Sequence, residues 1–316
     1  MKPFAFIFPG QGSQSVGMLD AWGDHPAVTE VLKIASDALN EDITKLIKEG
    51  PKEALGLTTN TQPVMLVAGV AAYRAWLAEG GARPAVVAGH SLGEYSALVA
   101  SGVLSLYDAV QTVRLRAAAM QEAVPVGTGA MAAILGLSAT EVIAACAYAT
   151  VVFGQNSAEV AEAANFNDPG QTVISGSKLG IEKACELLKT KGAKRCLLLP
   201  VSAPFHSSLM RPAAEKLRDH LASVTFNPPQ IPVISNIDVA VVQAATQIKD
   251  ALYRQAFGPV RWVECVQAIK ARGITHLAEC GPGKVLAGMC KRIDAELVGT
   301  AMFDPATLAE TKVILA

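Results

Sequence analysis

Residues 85–100 read Ala-Val-Val-Ala-Gly-His-Ser-Leu-Gly-Glu-Tyr-Ser-Ala-Leu-Val-Ala, which places the pattern Gly-x-Ser-x-Gly between two apolar runs. The first run predicts a short buried strand at 85–88, and the second predicts a helix that ends near Ser101. A glycine on each side of the serine allows the sharp turn that joins such a strand to such a helix. The hydroxyl of Ser91 is then exposed beside free backbone N–H groups at a helix N-terminus, a place suited to a developing oxyanion. Ser91 is therefore the candidate nucleophile.

A simpler interpretation of the same residues is that Ser91 only caps a helix after an ordinary glycine-bounded turn. The strand before the turn and the helix after it favour a nucleophile instead, because serines of Gly-x-Ser-x-Gly turns act as nucleophiles in that context. We therefore expect the Ser91 hydroxyl to be accessible to a substrate.

The composition limits the class of protein. The chain has 316 residues, of which 51% are hydrophobic and 17% are charged, enough to bury the core of one large α/β domain or of two smaller ones. A net charge of −1 without a basic run gives no reason to expect nucleic acid or an anionic membrane surface as a partner. No apolar segment approaches the roughly 18 residues of a membrane span. The apolar run at 4–8 is also too short for a signal-peptide core, so a cytoplasmic protein is expected.

Neither the cysteines nor a glycine-rich loop predicts a cofactor. The six cysteines include no C-x-x-C pair, which predicts buried free thiols in a reducing cytoplasm and no zinc site. The loop Gly10-Gln11-Gly12 follows a predicted strand, but the third glycine of a dinucleotide-binding G-x-G-x-x-G pattern would stand at Ser15. The loop is better interpreted as one that brings backbone amides close to a substrate at the carboxyl end of a strand. We predict no metal and no resident cofactor.

The order of predicted elements divides the chain into two units. Residues 1–126 and 202–316 predict a large α/β-hydrolase-like domain with a central, mostly parallel sheet. Residues 127–201 predict a small inserted subdomain, because their elements follow the order βαββαβ that is typical of a ferredoxin-like unit. The predicted strands are 2–8, 85–88, 130–137, 160–166, 172–175, 195–201, 228–235 and 275–279. Besides the helix after Ser91, helices are predicted at 27–39, 43–48, 63–79, 105–123, 138–149, 178–191, 248–257 and 262–272, and after the turn at 281–283.

An attacking serine needs a base within about 3 Å, because its hydroxyl has a pKa far above neutrality. His206 is the best candidate, since it stands at a strand-to-helix transition just after the predicted insert, where two units would form a cleft. In an α/β-hydrolase the acid of a triad would lie between Ser91 and His206, where the only aspartates are Asp108 and Asp168. The first is expected to cap a helix and the second to lie in a turn. A Ser–His dyad, with the imidazole oriented by a carbonyl group, is therefore favoured over a triad.

Two arginines flank the apolar stripe of the helix predicted at 105–123. Arg114 and Arg116 lie on opposite edges of that stripe, and either can be a solvated side chain. The periodicity alone does not decide which of them, if either, has a functional role.

Six motifs together closely resemble the malonyl-CoA:acyl carrier protein transacylase family, in order and in spacing, over nearly the whole chain. They are Phe-Pro-Gly-Gln-Gly-Ser-Gln at 8–14, Gly-His-Ser-Leu-Gly-Glu-Tyr at 89–95, Arg-x-Arg before Met-Gln at 114–121, Asn-x-Asn-x-Pro-Gly at 165–170, Pro-x-His at 204–206 and Gly-Pro-Gly at 281–283. The resemblance implies ping-pong transfer of malonyl from malonyl-CoA to the phosphopantetheine thiol of holo-acyl carrier protein, for fatty acid synthesis. Ser91 would carry the malonyl ester, and His206 would act as base for the serine and then for the thiol. Coenzyme A enters only as part of a substrate.

The resemblance also assigns the groups around the reacting carbonyl. The oxyanion hole falls on the backbone amides of Gln11 and Leu92, and the carbonyl that orients the histidine falls at Gln255. The side chains of Gln62 and Asn165 would line the cleft. A monomer is expected.

The malonate-binding arginine of the family falls on Arg116, which settles by resemblance the choice that periodicity leaves open. A guanidinium forms a bidentate, charge-assisted pair with a carboxylate. An acetyl or butyryl group would leave that cation uncompensated, so uncharged acyl groups should be rejected strongly. Phe205 and Leu92 also resemble the malonyl-selecting rather than the methylmalonyl-selecting pattern of related acyltransferase domains.

Two other functions could use the same turn. A serine hydrolase or thioesterase of the α/β-hydrolase type would give Arg116 no role and would need an acid between Ser91 and His206. A carrier-protein docking module without catalytic activity would not need Ser91, His206 and Arg116. If the activity is acyl transfer, polyketide assembly also stays open as the pathway that the enzyme supplies.

Overall fold

Two β-sheets organise the computed structural model, which describes residues 2–154, 157–201 and 203–316. The strands in this part of the chain are β1 (Phe4–Phe8), β2 (Val86–Gly89), β3 (Gly129–Leu135), β4 (Ala161–Asp168), β5 (Gln171–Ser177), β6 (Arg195–Leu198), β7 (Val233–Ile234), β8 (His276–Cys280) and β9 (Val298–Met302). A parallel sheet has the order β7-β2-β1-β8-β9, and an antiparallel sheet has the order β4-β5-β3-β6. The predicted mixed α/β fold class is confirmed.

Helices cover both faces of the parallel sheet and one face of the antiparallel sheet. They are α1 (Pro26–Leu39), α2 (Ile43–Glu49), α3 (Lys52–Gly56), α4 (Thr58–Ala78), α5 (Gly93–Ala100), α6 (Leu106–Glu122), α7 (Ala139–Val152), α8 (Lys178–Thr190), α9 (Arg211–Ser223), α10 (Ala245–Phe257), α11 (Trp262–Lys270), α12 (Val285–Ile293) and α13 (Pro305–Leu315). Short 3-10 turns lie at Asp20–Trp22 and Ser208–Met210. Within the described residues, none of these helices combines the length and the apolar character that a membrane crossing requires.

Strand β1 lies at the centre of the parallel sheet and is buried on both faces. Its alternate side chains point to opposite sides. On one side Phe6 packs against α4, with its ring centroid 5.5 Å from that of Trp76. On the other side Ala5 and Ile7 join the core that contains Trp262 of α11. Burial on both faces explains why the strand is an unbroken apolar run.

The register of β1 and β2 brings two loops together. Phe8 pairs with Gly89 in the parallel ladder, so the two strands end side by side. The loop at 9–14 and the turn around Ser91 therefore leave the sheet at the same edge, where open α/β sheets bind their ligands.

The antiparallel sheet closes over this edge. Its elements β3-α7-β4-β5-α8-β6 and its strand order are those of a ferredoxin-like unit. Helices α7 and α8 pack on one face, and Met131 and Val173 on the other face belong to the main core cluster. Backbone hydrogen bonds join the antiparallel-sheet unit to the parallel-sheet unit. The N–H of Phe166 donates to the carbonyl oxygen of Val260, and the N–H of Val260 donates to the carbonyl oxygen of Ala164.

Two expectations about elements were wrong, and some elements, α13 among them, were not predicted. Helix α4 begins at Thr58, so Pro63 lies inside the helix rather than in its first turn. The strand expected at 228–235 is reduced to β7, since the prolines at positions 228, 229 and 232 cannot donate to a sheet ladder. The segment after Met302, which has no motif, forms α13 behind a capping box at Asp304. The boundaries at 126/127 and 201/202 stay predictions, and Ser202 lies outside the described residues.

The backbones of Gly93 and Phe8 approach each other closely, so one methyl group added at Gly93 should destabilise the folded protein. A Cβ at Gly93 would lie 2.1 Å from the carbonyl oxygen of Phe8, which cannot move without breaking the sheet. We expect Gly93→Ala to lower the free energy of unfolding by roughly 3 kcal/mol or more, as a backbone clash in a packed core does. Gly288→Ala is the matched control in α12, where the nearest atom is Arg292 Nη1 at 4.0 Å. It should stabilise the protein by roughly 0.5–1 kcal/mol. Urea unfolding measures both, and equal stabilities of the two variants would contradict the packing described.

Candidate active site

The turn at Ser91 is strained and is stabilised from a neighbouring strand. Ser91 has φ 52°, a left-handed conformation that a non-glycine residue rarely adopts. Asn236, two residues after β7, accepts from the Ser91 N–H at 2.7 Å and donates to the carbonyl oxygen of Gly89 at 2.7 Å. One carboxamide therefore ties both ends of the turn. The flanking glycines are required for space: a Cβ at Gly89 would lie 1.9 Å from the backbone of Gly93.

The His206 imidazole lies beside the Ser91 hydroxyl. The Ser91 Oγ–H donates to His206 Nε2 at 2.6 Å. On the other side of the ring, Nδ1 lies 2.9 Å from the carbonyl oxygen of Gln255 and 3.2 Å from that of Gly258. Carbonyl oxygens only accept, so this network assigns the proton to Nδ1 and leaves Nε2 free to accept. The arrangement can remove a proton from the serine.

The aspartates that a triad could have used lie elsewhere. Ser105 caps α6 by accepting from the N–H of Asp108 at 3.0 Å, and its hydroxyl donates to Asp108 Oδ2 at 2.6 Å. Asp168 accepts from the N–H of Gly170 and forms an ion pair with Arg292 at 2.7 Å. The geometry is that of a dyad oriented by backbone carbonyls.

Burial first, and then the nearby Arg116 cation, together lower the pKa of His206 to about 3, against the two carbonyl contacts that raise it. A neutral imidazole is the form that can act as a base. The site therefore keeps His206 in its basic form well below neutral pH.

Arg116 lies inside the cleft, and Arg114 lies outside it. The guanidinium of Arg116 is 2% exposed. Its Nη1 donates to Gln62 Oε1 at 2.8 Å, and its Nη2 lies 3.2 Å from Gln255 Oε1 and 3.3 Å from Ser91 Oγ. Arg114 instead forms a bidentate pair with Glu41 at 2.8 and 2.7 Å. Within the described residues Arg116 has only neutral acceptors, so it can receive an anion.

The side chain of Gln255 connects these groups. It is fully buried, and its Nε2 donates to the Ser91 carbonyl oxygen at 3.0 Å and to Glu94 Oε2 at 2.9 Å. The same Glu94 oxygen accepts from the N–H of Asn236 at 3.1 Å. Burial raises the pKa of Glu94 to about 7, while the Gln255 and Asn236 hydrogen bonds and the Arg116 charge lower it.

Glu94 and Asn236 are site residues that the sequence analysis missed. Asn236 could have been found by its place after a predicted strand, at the sheet edge where ligands bind. Glu94 gives no comparable indication, because a glutamate in the first turn of a helix is already explained by the helix dipole.

A cleft of about 220 Å³ opens between the two sheets in front of Ser91. It is lined by Gln11, Gln62, His90, Ser91, Leu92, Arg116, Met131, Asn165, Asn167, Val173, Leu199, Val201, Phe205 and His206. The backbone N–H groups of Gln11 and Leu92 have no acceptor in the described chain, so both can donate to a ligand. Eight residues predicted for the site lie together here or, like Gln255, directly behind the cleft. No group of three or more His, Cys, Asp or Glu side chains that could bind a metal occurs among the described residues.

Comparisons with known proteins give one consistent result. The acyl transferase domain family matches residues 5–293. The malonyl CoA-acyl carrier protein transacylase of Escherichia coli (strain K12) is 50% identical over 310 residues, which cover 98% of this chain and 98% of that protein. The crystal structure of an acyl-carrier-protein S-malonyltransferase from Burkholderia pseudomallei 1710b is 62% identical with a TM-score of 0.95, and the match covers 98% of this chain and 100% of that one. A malonyl-transacylase in complex with its type II polyketide-synthase acyl-carrier protein is 45% identical with a TM-score of 0.94, and covers 98% and 99% of the two chains.

The lowered pKa of His206 can be measured directly. We expect its imidazole resonances to show no titration between pH 8 and pH 5 in the folded protein, because burial and the Arg116 charge favour the neutral ring. In the urea-unfolded chain the same ring should titrate near pH 6.5. Two-dimensional NMR of histidine-labelled protein, with His206→Asn for assignment, provides the measurement. A folded-state midpoint between pH 6 and pH 7 would contradict the described environment.

Proposed function

The chain belongs to the acyl transferase family and, within it, to the malonyl-CoA:acyl carrier protein transacylases, and on this premise we propose that it moves a malonyl group through Ser91. The donor is malonyl-CoA, and the acceptor is the phosphopantetheine thiol of holo-acyl carrier protein. The observation that carries the proposal is the convergence of His206 Nε2 and Arg116 Nη2 on one oxygen, at 2.6 and 3.3 Å from Ser91 Oγ.

The first half-reaction forms the malonyl ester. His206 Nε2 takes the Ser91 proton while Oγ attacks the thioester carbonyl. The backbone N–H of Gln11, in the loop after β1, and that of Leu92, at the N-terminus of α5, donate to the oxyanion that develops. When the intermediate collapses, the C–S bond breaks and the imidazolium gives its proton to the coenzyme A sulfur.

The second half-reaction reverses these roles. The carrier's thiol gives its proton to His206 Nε2 and attacks the ester carbonyl, and the same N–H groups stabilise the oxyanion. The C–O bond to Ser91 then breaks, and Oγ recovers its proton from the imidazolium. Because one base serves both steps, His206→Ala should slow both.

Arg116 selects the acyl group. A malonyl ester places its free carboxylate three bonds beyond Oγ, within reach of the guanidinium. Gln62 and Gln255 hold that guanidinium by neutral oxygens, so the substrate supplies the anion that these direct partners do not. Asn165 and Phe205 line the same cleft and limit its width.

We place the activity in fatty acid synthesis, where it supplies malonyl units. A polyketide carrier protein is the second candidate acceptor, because one similar transacylase is solved with such a carrier bound. The monomer expected from the sequence stays a prediction.

Intact mass spectrometry after mixing with malonyl-CoA alone tests the proposal. The protein should gain one malonyl group, and holo-acyl carrier protein should remove it. Ser91→Ala should gain none. Hydrolysis of the adduct at a rate comparable with its formation would favour a thioesterase. A labelled malonyl adduct on Ser91→Ala would show that Ser91 is not the nucleophile.

Replacing the two arginines separately tests the origin of selectivity. Arg116→Ala should lower kcat/KM for malonyl-CoA by roughly a hundredfold or more, because two charge-assisted hydrogen bonds of about 1.5–3 kcal/mol each are lost. The preference for malonyl-CoA over acetyl-CoA should fall with it. Arg114→Ala is the matched control on the same helix and should leave the preference unchanged. Unchanged preference in Arg116→Ala would show that another group binds the carboxylate.

A further inference from the structure

The carboxamide of Gln255 is engaged at both ends in a fully buried position. Its oxygen accepts from Arg116 Nη2 at 3.2 Å, and its nitrogen donates to Glu94 Oε2 at 2.9 Å and to the Ser91 carbonyl oxygen at 3.0 Å. A carboxamide has nearly the same shape after a half-turn about its last bond, so its hydrogen-bond partners decide which way it faces. A half-turn here would place the NH₂ group against the Arg116 cation.

Glu94 is one of two acceptors that orient the Gln255 nitrogen, the other being the Ser91 carbonyl oxygen. The side chain is 2% exposed, and within the described residues it forms no ion pair. Its Oε2 accepts from the backbone N–H of Asn236 at 3.1 Å, so a proton on this carboxyl group would lie on Oε1 and Oε2 stays an acceptor. The group opposite that oxygen must therefore be a donor, which places the nitrogen of Gln255 toward Glu94 and its oxygen toward Arg116.

We propose that Glu94 is a positioning residue for acyl selection, which acts through Gln255 to hold the Arg116 guanidinium toward the acyl group on Ser91. The inference rests on the proposed malonyl transfer. Glu94 does not touch the substrate, and its effect passes through two successive hydrogen bonds. Loss of its acceptor oxygen would leave the Ser91 carbonyl oxygen to hold the Gln255 nitrogen, so the carboxamide would turn more easily and the Nη2 hydrogen bond of Arg116 would weaken. The dyad would keep its geometry, since the carbonyl that orients His206 belongs to the backbone of Gln255.

Two replacements of Glu94 separate this role from a general structural one. Glu94→Gln keeps an oxygen that can accept from both N–H groups and removes the charge. Glu94→Met keeps the length of the side chain and removes the acceptor. The measured quantity is the ratio of kcat/KM for acyl-enzyme formation with malonyl-CoA to that with acetyl-CoA, with thermal unfolding recorded for each variant. A merely structural role lowers both rates in parallel and leaves the ratio unchanged.

We expect Glu94→Met to lower the ratio roughly tenfold, the size of one oriented hydrogen bond to a charged group, mainly through the malonyl rate. Glu94→Gln should keep the ratio within about threefold of the wild type. An unchanged ratio in Glu94→Met, or an equal fall in both variants, would overturn the proposal.

Gln255→Met tests the same relay from its other end, whether or not Glu94→Met folds. It keeps the backbone carbonyl at His206 and removes the acceptor at Arg116, so its ratio must also fall roughly tenfold. An unchanged ratio there overturns the proposal. The wild-type protein distinguishes this outcome from a failure of the proposed function. If the wild type forms no malonyl ester, or prefers acetyl-CoA, malonyl transfer itself is refuted. If the wild type and the variants all prefer malonyl-CoA equally, only the role of Glu94 is refuted.

Discussion

The site depends on a guanidinium that is buried without a directly bonded anion. Removing a cation from water costs several kcal/mol unless a partner replaces the lost hydration. Arg116 has amide oxygens and a hydroxyl as partners, and burial lowers its pKa. The cleft is therefore most stable when a ligand brings a carboxylate. The same charge also lowers the pKa of His206. One cation thus selects the acyl group and keeps the base neutral.

The backbone around this cation is held away from its preferred conformations. Ser91 and His206 have φ 52° and 63°, and a left-handed backbone costs a non-glycine residue roughly 1–2 kcal/mol. Asn236 stabilises the turn at Ser91 by one hydrogen bond to Ser91 and one to Gly89, and two backbone carbonyls orient the ring of His206. Strain that persists only because its surroundings fix it is typical of catalytic positions. Its supports come from the ends of different strands and helices, so the site forms only when the whole domain folds.

Local pattern and topology were predictable from the sequence to different extents. The glycine pattern around Ser91 gave the strand, the turn and the helix, because close packing at Gly89 and Gly93 leaves little choice of residue. The order βαββαβ gave the second sheet, whose strand pairing agrees with the ferredoxin-like prediction. The family resemblance is confirmed by matches along nearly the full chain. The resemblance identified Arg116 rather than Arg114 as the malonate-binding arginine, a choice that helical periodicity could not make.

The supporting contacts could not be predicted in the same way. Glu94 and Asn236 meet Gln255 and Ser91 across more than 140 positions of sequence, and no local pattern encodes such side-chain contacts. The start of α4 was predicted too late in the sequence, because proline is most frequent in the first turn of a helix but also occurs further along. Backbone preferences thus define elements, and tertiary packing decides what their polar side chains bind.

A crystal structure of the protein acylated by malonyl-CoA tests most directly whether the buried cation is the receptor for the acyl group. We expect an ester on Ser91 Oγ whose free carboxylate makes a bidentate pair with Arg116. An ester whose carboxylate faces solvent, or a guanidinium still bound only to Gln62 and Gln255, would contradict it.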